Sequence, residues 1–297
     1  MPAFTRSRVA LLLIFITPAL WGVNALIARV APGLIEPHLL AMSRWLLASL
    51  LFALGSHREV RVHWRQALAD WRHYLVLGAL GMWICGAWVY IGGQTTSAAN
   101  IGLIYSISPV LIVLASALWL GERVTGRQAL GVGLALAGVL HVVFKGQWHA
   151  LLQVQFVPGD GWILAATVSW TLYSLLLRKW SSPLGMGARL AVISLAGAMV
   201  NLPFALWEIA HAPAPALTSV GLTLAVVAAV IPGFGAYLAH SFMQHELGAA
   251  RVSVVLYLSP IYTAAMAWLV LGEGLHGFHL WGLALVLPGI WLVTRAR

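Results

Sequence analysis

A chain of 297 residues that is 61% hydrophobic and 8% charged, with a mean hydropathy of +0.89, has too little polar surface to cover a globule in water, where charged residues are about a quarter of the composition. The composition therefore points to a polytopic membrane protein. The net charge of +9 does not mark a nucleic-acid binder, because the basic residues sit at the ends of apolar runs, and the single Cys85 excludes an intramolecular disulfide.

About 20 residues cross about 30 Å of hydrocarbon. On that measure ten spans are predicted, at residues 9–30, 38–55, 73–93, 99–120, 127–144, 160–179, 187–208, 218–240, 249–271 and 277–294. The first follows Arg6 and Arg8 as a signal peptide would, but its apolar stretch is longer than the roughly 7–15 residues of a secretory core, so it reads as an uncleaved span. An N-terminus in the cytoplasm leaves only Arg29 and Lys145 outside and Arg44 within the second span, with the other Lys and Arg residues inside. Both termini are then cytoplasmic.

The fourth and fifth spans recur as the ninth and tenth. Ser108-Pro109 and Gly121-Glu122 match Ser259-Pro260 and Gly272-Glu273, and Gly131 and Gly138 match Gly282 and Gly289, all 151 residues apart. Upstream, Trp21 and Arg29 match Trp170 and Arg178 at a separation of 149. The chain is a duplication with halves at 1–146 and 147–297. Five spans per half is an odd number, so the second copy enters from the opposite face. The expected fold is all-α, ten helices in two inverted five-helix repeats, an architecture used for alternating access.

These duplicated segments, with ALWGVNALIAR in the first span and SRWLLASL in the second, resemble the EamA family of the drug/metabolite transporter superfamily, and among its members the YddG-type exporters of aromatic amino acids. The resemblance implies a multi-pass protein of the bacterial inner membrane that exports amino acids or related metabolites, without an enzymatic step or a cofactor.

Candidate substrate contacts come from polar and aromatic residues that share helix faces. The first span aligns Trp21 with Asn24, and its repeat partner aligns Trp170 with Tyr173, which stands in the place of Asn24. The third aligns Trp83 with Tyr90, and its partner Tyr237 with His240. Tyr105 and Ser108 share an arc of the fourth span, and Ser259 stands in the ninth. Aromatic faces suit an aromatic substrate, with polar groups for its other end. The alternative readings are helix packing, an interfacial aromatic belt and, for His240, a structural hydrogen bond near the cytoplasmic end.

Arg44, about 9 Å below the outer end of its span, is costly to bury unpaired. It meets a substrate carboxylate, or else backbone carbonyls or Glu36, or snorkels outward, and the structural reading is preferred. Pro109 and Pro260 are read as kinks within continuous helices, and Pro232 as a further hinge. Glu122 and Glu273 read as anchors at span ends, Thr125 with Gln128 as a capping box, and the paired glycines as close packing or a dimer surface.

No Asp or Glu falls near the centre of a span, which favours a neutral or zwitterionic substrate over an organic dication. Proton coupling then lacks a carrier other than a histidine such as His240, and uniport is the alternative. No GxSxG, HExxH or CxxC is present, and the HGFH at His276–His279 has no further evident ligands, so neither a metal site nor an intramembrane enzyme is expected. The functional expectation is a secondary exporter of aromatic amino acids or, in second place, a multidrug or broad metabolite exporter, with lipid and a small molecule as partners. Monomer and homodimer both fit the sequence.

Overall fold

In hydrocarbon the backbone has no hydrogen-bonding partner but itself, which is why apolar runs of this length fold as helices. The computed structural model describes residues 3–96, 98–212, 218–271, 274 and 276–295. Within them lie α1 (Ala3–Val30), α2 (Pro37–Ala69), α3 (Trp71–Gly93), α4 (98–120), α5 (Gly126–Val143), α6 (Pro158–Lys179), α7 (Met186–His211), α8 (Ser219–Leu247), α9 (249–271) and α10 (Gly277–Arg295). Nine are apolar enough over 18 residues to cross a membrane. The remaining one, α6, is long enough at 22 residues but buries Thr167, Ser169, Trp170, Thr171, Tyr173 and Ser174. It packs on α3 and α4. A helix enclosed by helices has less need of an apolar surface than one in lipid.

Helix α2 outruns its predicted end at residue 55, bending at Ser56 (φ −127°, ψ 17°) and continuing to Ala69.

The halves repeat their irregularities as well as their helices. Helix α3 widens into a π-helical stretch at Ala79–Trp88, and α8 does so at Ala229–Gly235. Helix α4 breaks between Ser106 and Ser108, and α9 tightens into a 3₁₀ turn at Val254–Leu258. The proline reading is corrected here. Pro109 and Pro260 are each the second residue of a fresh helical segment, Ser108–Leu120 and Ser259–Leu271, where the missing N–H has no intrahelical acceptor to lose. Pro232 lies inside the π-helical stretch of α8.

Equivalent helices of the two halves pair antiparallel, which makes the repeats inverted. A Cβ on Gly131 would stand 2.6 Å from the Gly289 carbonyl oxygen, and one on Gly138 2.7 Å from that of Gly282. Residue numbers thus rise along α5 as they fall along α10. These glycines pack within one chain, so they do not form the dimer surface considered from the sequence.

Helices α2 and α7 cap one another. The Glu208 carboxylate, near the end of α7, accepts the backbone N–H groups of His38 (2.9 Å) and Leu39 (3.0 Å) at the start of α2. The Glu59 carboxylate of α2 accepts the N–H of Gly185 at the start of α7. The two glutamates are 149 residues apart, the separation of the two tryptophans. Each satisfies orphan donors and places negative charge at the positive end of a helix.

Gly138→Leu is expected to lower the thermal unfolding midpoint in detergent by several degrees, the equivalent of about 1–3 kcal/mol of overpacking. Gly133→Leu, at a position where nothing lies within 4 Å of an added Cβ, should leave the midpoint within a degree or two.

Glu208→Ala removes the cap of α2 and should cost about 1–2 kcal/mol in the same measurement.

Candidate substrate site

The two duplicated tryptophans meet where the halves join. Trp21 of α1 packs edge-on against Trp170 of α6, with ring centroids 5.5 Å apart. His240 of α8 lies against both, at 5.5 and 5.1 Å. Trp170 also stacks on Tyr173 (5.4 Å) and meets Tyr237 edge-on (5.8 Å), and Tyr237 reaches Trp45 of α2 at 4.7 Å. This aromatic cluster joins side chains from both repeats.

Its positions depend on the π-helical stretch of α3. The wider turn alters the hydrogen-bond ladder locally, and side chains from the other half bind carbonyls there. Tyr237 Oη donates to the Gly81 carbonyl at 3.0 Å and Ser169 Oγ to that of Leu80 at 2.9 Å. Gly81 is required, because a Cβ there would stand 2.7 Å from the Tyr173 ring.

A polar group adjoins the cluster. Asn24 Oδ1 accepts from Tyr90 Oη at 2.7 Å and from Arg44 Nη1 at 2.8 Å. The Arg44 guanidinium lies 4.5 Å from the Trp45 ring centroid, and the side chain is buried. Arg44 therefore neither snorkels nor pairs with Glu36. Tyr105 is half-buried on α4. Trp45 Nε1, Trp170 Nε1, Tyr173 Oη, His240 Nδ1 and Arg44 Nε are buried without a hydrogen-bond partner in the protein. Such groups are costly in a low-dielectric interior and suit a polar ligand or water.

Other candidates fall elsewhere. Trp83 stacks on Phe204 of α7 (4.8 Å) and abuts Trp88 (5.2 Å), in a separate aromatic row that continues to Trp162. Its face of α3 turns away from the cluster because the π-helical turn shifts the angular register that regular periodicity predicts. Ser108 is buried with its Oγ unpartnered, whereas Ser259 is half-buried and joins no hydrogen bond to the cluster. His240 sits in the aromatic cluster, not at a helix end. Glu122 caps α9 through the Ala250 N–H at 3.3 Å, and the Thr125–Gln128 capping box forms. Glu273 lies outside the described residues. Among the described residues no group of three metal-ligating side chains occurs.

Trp45, Gly81 and the Glu59/Glu208 pair had no place in the sequence reading. The glutamates share the 149-residue separation of the tryptophans and were legible on that ground. Gly81 was not, because nothing in a sequence shows which ring will lie on a glycine.

Two inverted five-helix repeats with a mixed aromatic and polar cluster at their junction define a helical membrane protein of the secondary-transporter class. The model of the EamA-like transporter family matches residues 8–144 and 157–295, and the chain belongs to that family. It is thus a transporter of small molecules and not an enzyme. It is 26% identical over 296 residues to a protein of Archaeoglobus fulgidus named an uncharacterized transporter, covering 96% of this chain and 97% of the relative. It is 27% identical over 265 residues to a protein of Streptantibioticus cattleyicolor named a probable terminal-alkyne amino-acid exporter, covering 86% and 83%. A solved crystal structure at 22% identity shares the fold, with a TM-score of 0.77 and 96% of each chain covered.

Asn24→Leu strips a neutral acceptor from buried Arg44 and Tyr90 and is expected to destabilise the protein by about 1–3 kcal/mol. Tyr237→Phe, which loses one neutral hydrogen bond, should cost about 1 kcal/mol. Thermal unfolding of the two purified variants checks the order.

Proposed function

We propose that this protein exports aromatic amino acids by alternating access, from a bacterial cytoplasm and across the inner membrane, with both termini cytoplasmic. The observation that carries the reading is the contact between Trp21 and Trp170. These are equivalent residues of the two repeats, so their contact lies on the pseudo-two-fold axis. In an inverted-repeat transporter the halves, 1–146 and 147–297, rock about a fixed central site. A substrate held on the axis meets both access states without leaving its contacts.

The composition of the site supports the substrate class. Four or more rings around one point favour an aromatic side chain. Beside them Asn24, Arg44 and Tyr90 offer hydrogen bonds to a polar end. The amino-acid exporter among the relatives agrees with the amino-acid part of the proposal. Because that relative's name specifies a terminal-alkyne side chain, a broader amino-acid and metabolite exporter is the second reading.

Uptake into proteoliposomes tests both. Labelled tryptophan or phenylalanine is expected to enter saturably and at least about tenfold faster than labelled alanine or an organic cation, a difference of about 1.4 kcal/mol. Trp21→Ala and Trp170→Ala should each reduce that uptake by a similar factor, and equal uptake of alanine would favour the broader exporter. With no carboxylate among the described residues of the cluster, a pH gradient should leave the initial rate unchanged; acceleration would assign proton coupling to His240.

A further inference from the structure

Arg44 is 3% exposed, seven residues after the first residue of α2. The equivalent position of α7, seven residues after Met186, is Ile193, which is fully buried with its carbonyl close to Gly78. The repeat architecture is therefore satisfied by an apolar side chain at this place. A guanidinium here is an addition to the fold, and an uncompensated charge within a membrane is costly.

The protein compensates that charge only in part. Arg44 bonds through Nη1 alone, to the neutral oxygens of Asn24 at 2.8 Å and, at a long 3.5 Å, of Tyr90. Its Nε is buried without an acceptor. None of the described carboxylates reaches it, and Glu208, the nearest cap of the same helix, is engaged by the first turn of α2. Nη1 faces Asn24, and none of the described residues hydrogen-bonds the opposite edge of the guanidinium, Nε with Nη2. That edge is the fork that binds a carboxylate through two parallel hydrogen bonds. One aromatic ring separates it from the cluster: Trp45 carries the guanidinium 4.5 Å from its centroid and packs against Tyr237 at 4.7 Å.

Building on the aromatic-export reading, we infer that Arg44 receives the substrate's carboxylate, and that the described residues of the site offer no acid to match an ammonium group. The ligand class is then aromatic monocarboxylates, with the amine dispensable. Tryptophan and its des-amino analogue belong to it, and the corresponding amine without a carboxylate does not.

The test is ligand-dependent thermal stabilisation of the purified full-length protein, which reports binding by mass action. The probes are tryptophan, indole-3-propionate, tryptamine and hexanoate. Tryptophan and indole-3-propionate are expected to bind at least tenfold more tightly than tryptamine. Arg44→Gln should weaken both acids at least tenfold and leave tryptamine unchanged. If Arg44→Gln does not fold, Arg44→Lys, which keeps the charge and loses the fork, is expected to weaken the acids and serves in its place.

Tryptamine binding as tightly as the acids, or a substitution that weakens all probes alike, overturns the assignment of Arg44 and leaves the aromatic reading standing. Hexanoate binding as tightly as indole-3-propionate, with both lost on substitution, sustains Arg44 and overturns the aromatic reading. Binding by none of the four overturns both.

Discussion

Hydrocarbon cannot hydrogen-bond a peptide group, and several irregularities and helix ends of this backbone are arranged around that constraint. Where α3 widens, the Leu80 and Gly81 carbonyls receive Ser169 and Tyr237. Where α2, α7 and α9 begin, carboxylates from elsewhere in the chain take the free N–H groups: Glu208 of α7, Glu59 of α2 and Glu122 of the loop after α4. At the start of α6 the same duty falls to Asp160, which accepts from the Val157 N–H at 2.8 Å and from Asn100 at 2.7 Å. Half of a small complement of acidic residues, four of the eight in the chain, is thus spent on helix ends.

The two-fold relation decides where the site lies. Helix α1 packs on α8 and α9 of the opposite half, and α6 packs on α3 and α4 in the equivalent way. A residue that faces the axis therefore meets its own counterpart, as Trp21 meets Trp170, and residues to either side of the axis meet in exchanged pairs, as Gly131 meets Gly289, the counterpart of Gly138, and Gly138 meets Gly282, the counterpart of Gly131. Tight glycine crossings hold the outer pair of helices together, while bulky rings occupy the inner ones.

The departures from symmetry give the site a direction. Asn24 faces Tyr173 across the duplication, and Arg44 faces Ile193. One side of the junction is accordingly polar and basic, the other aromatic. Under the proposed reading, a molecule with one charged end and one flat apolar end has a single preferred orientation at this junction, a source of specificity independent of overall size.

The sequence by itself determined the medium, the duplication and the antiparallel relation of the halves, because hydropathy, spacing and the parity of five spans are one-dimensional properties. It also singled out Trp21, Asn24, Tyr90, Trp170, Tyr173, Tyr237 and His240, since a lone Asn or Trp in an apolar run stands out whatever it touches. Only the tertiary structure decided that Trp83 leaves the cluster while Trp45 joins it, and that the prolines begin helical segments where continuous helices were expected. The physical reason is the helix register. A π-helical turn rotates every later side chain, and a break at Ile107 resets the next segment, so faces computed at 3.6 residues per turn lose their meaning past either point.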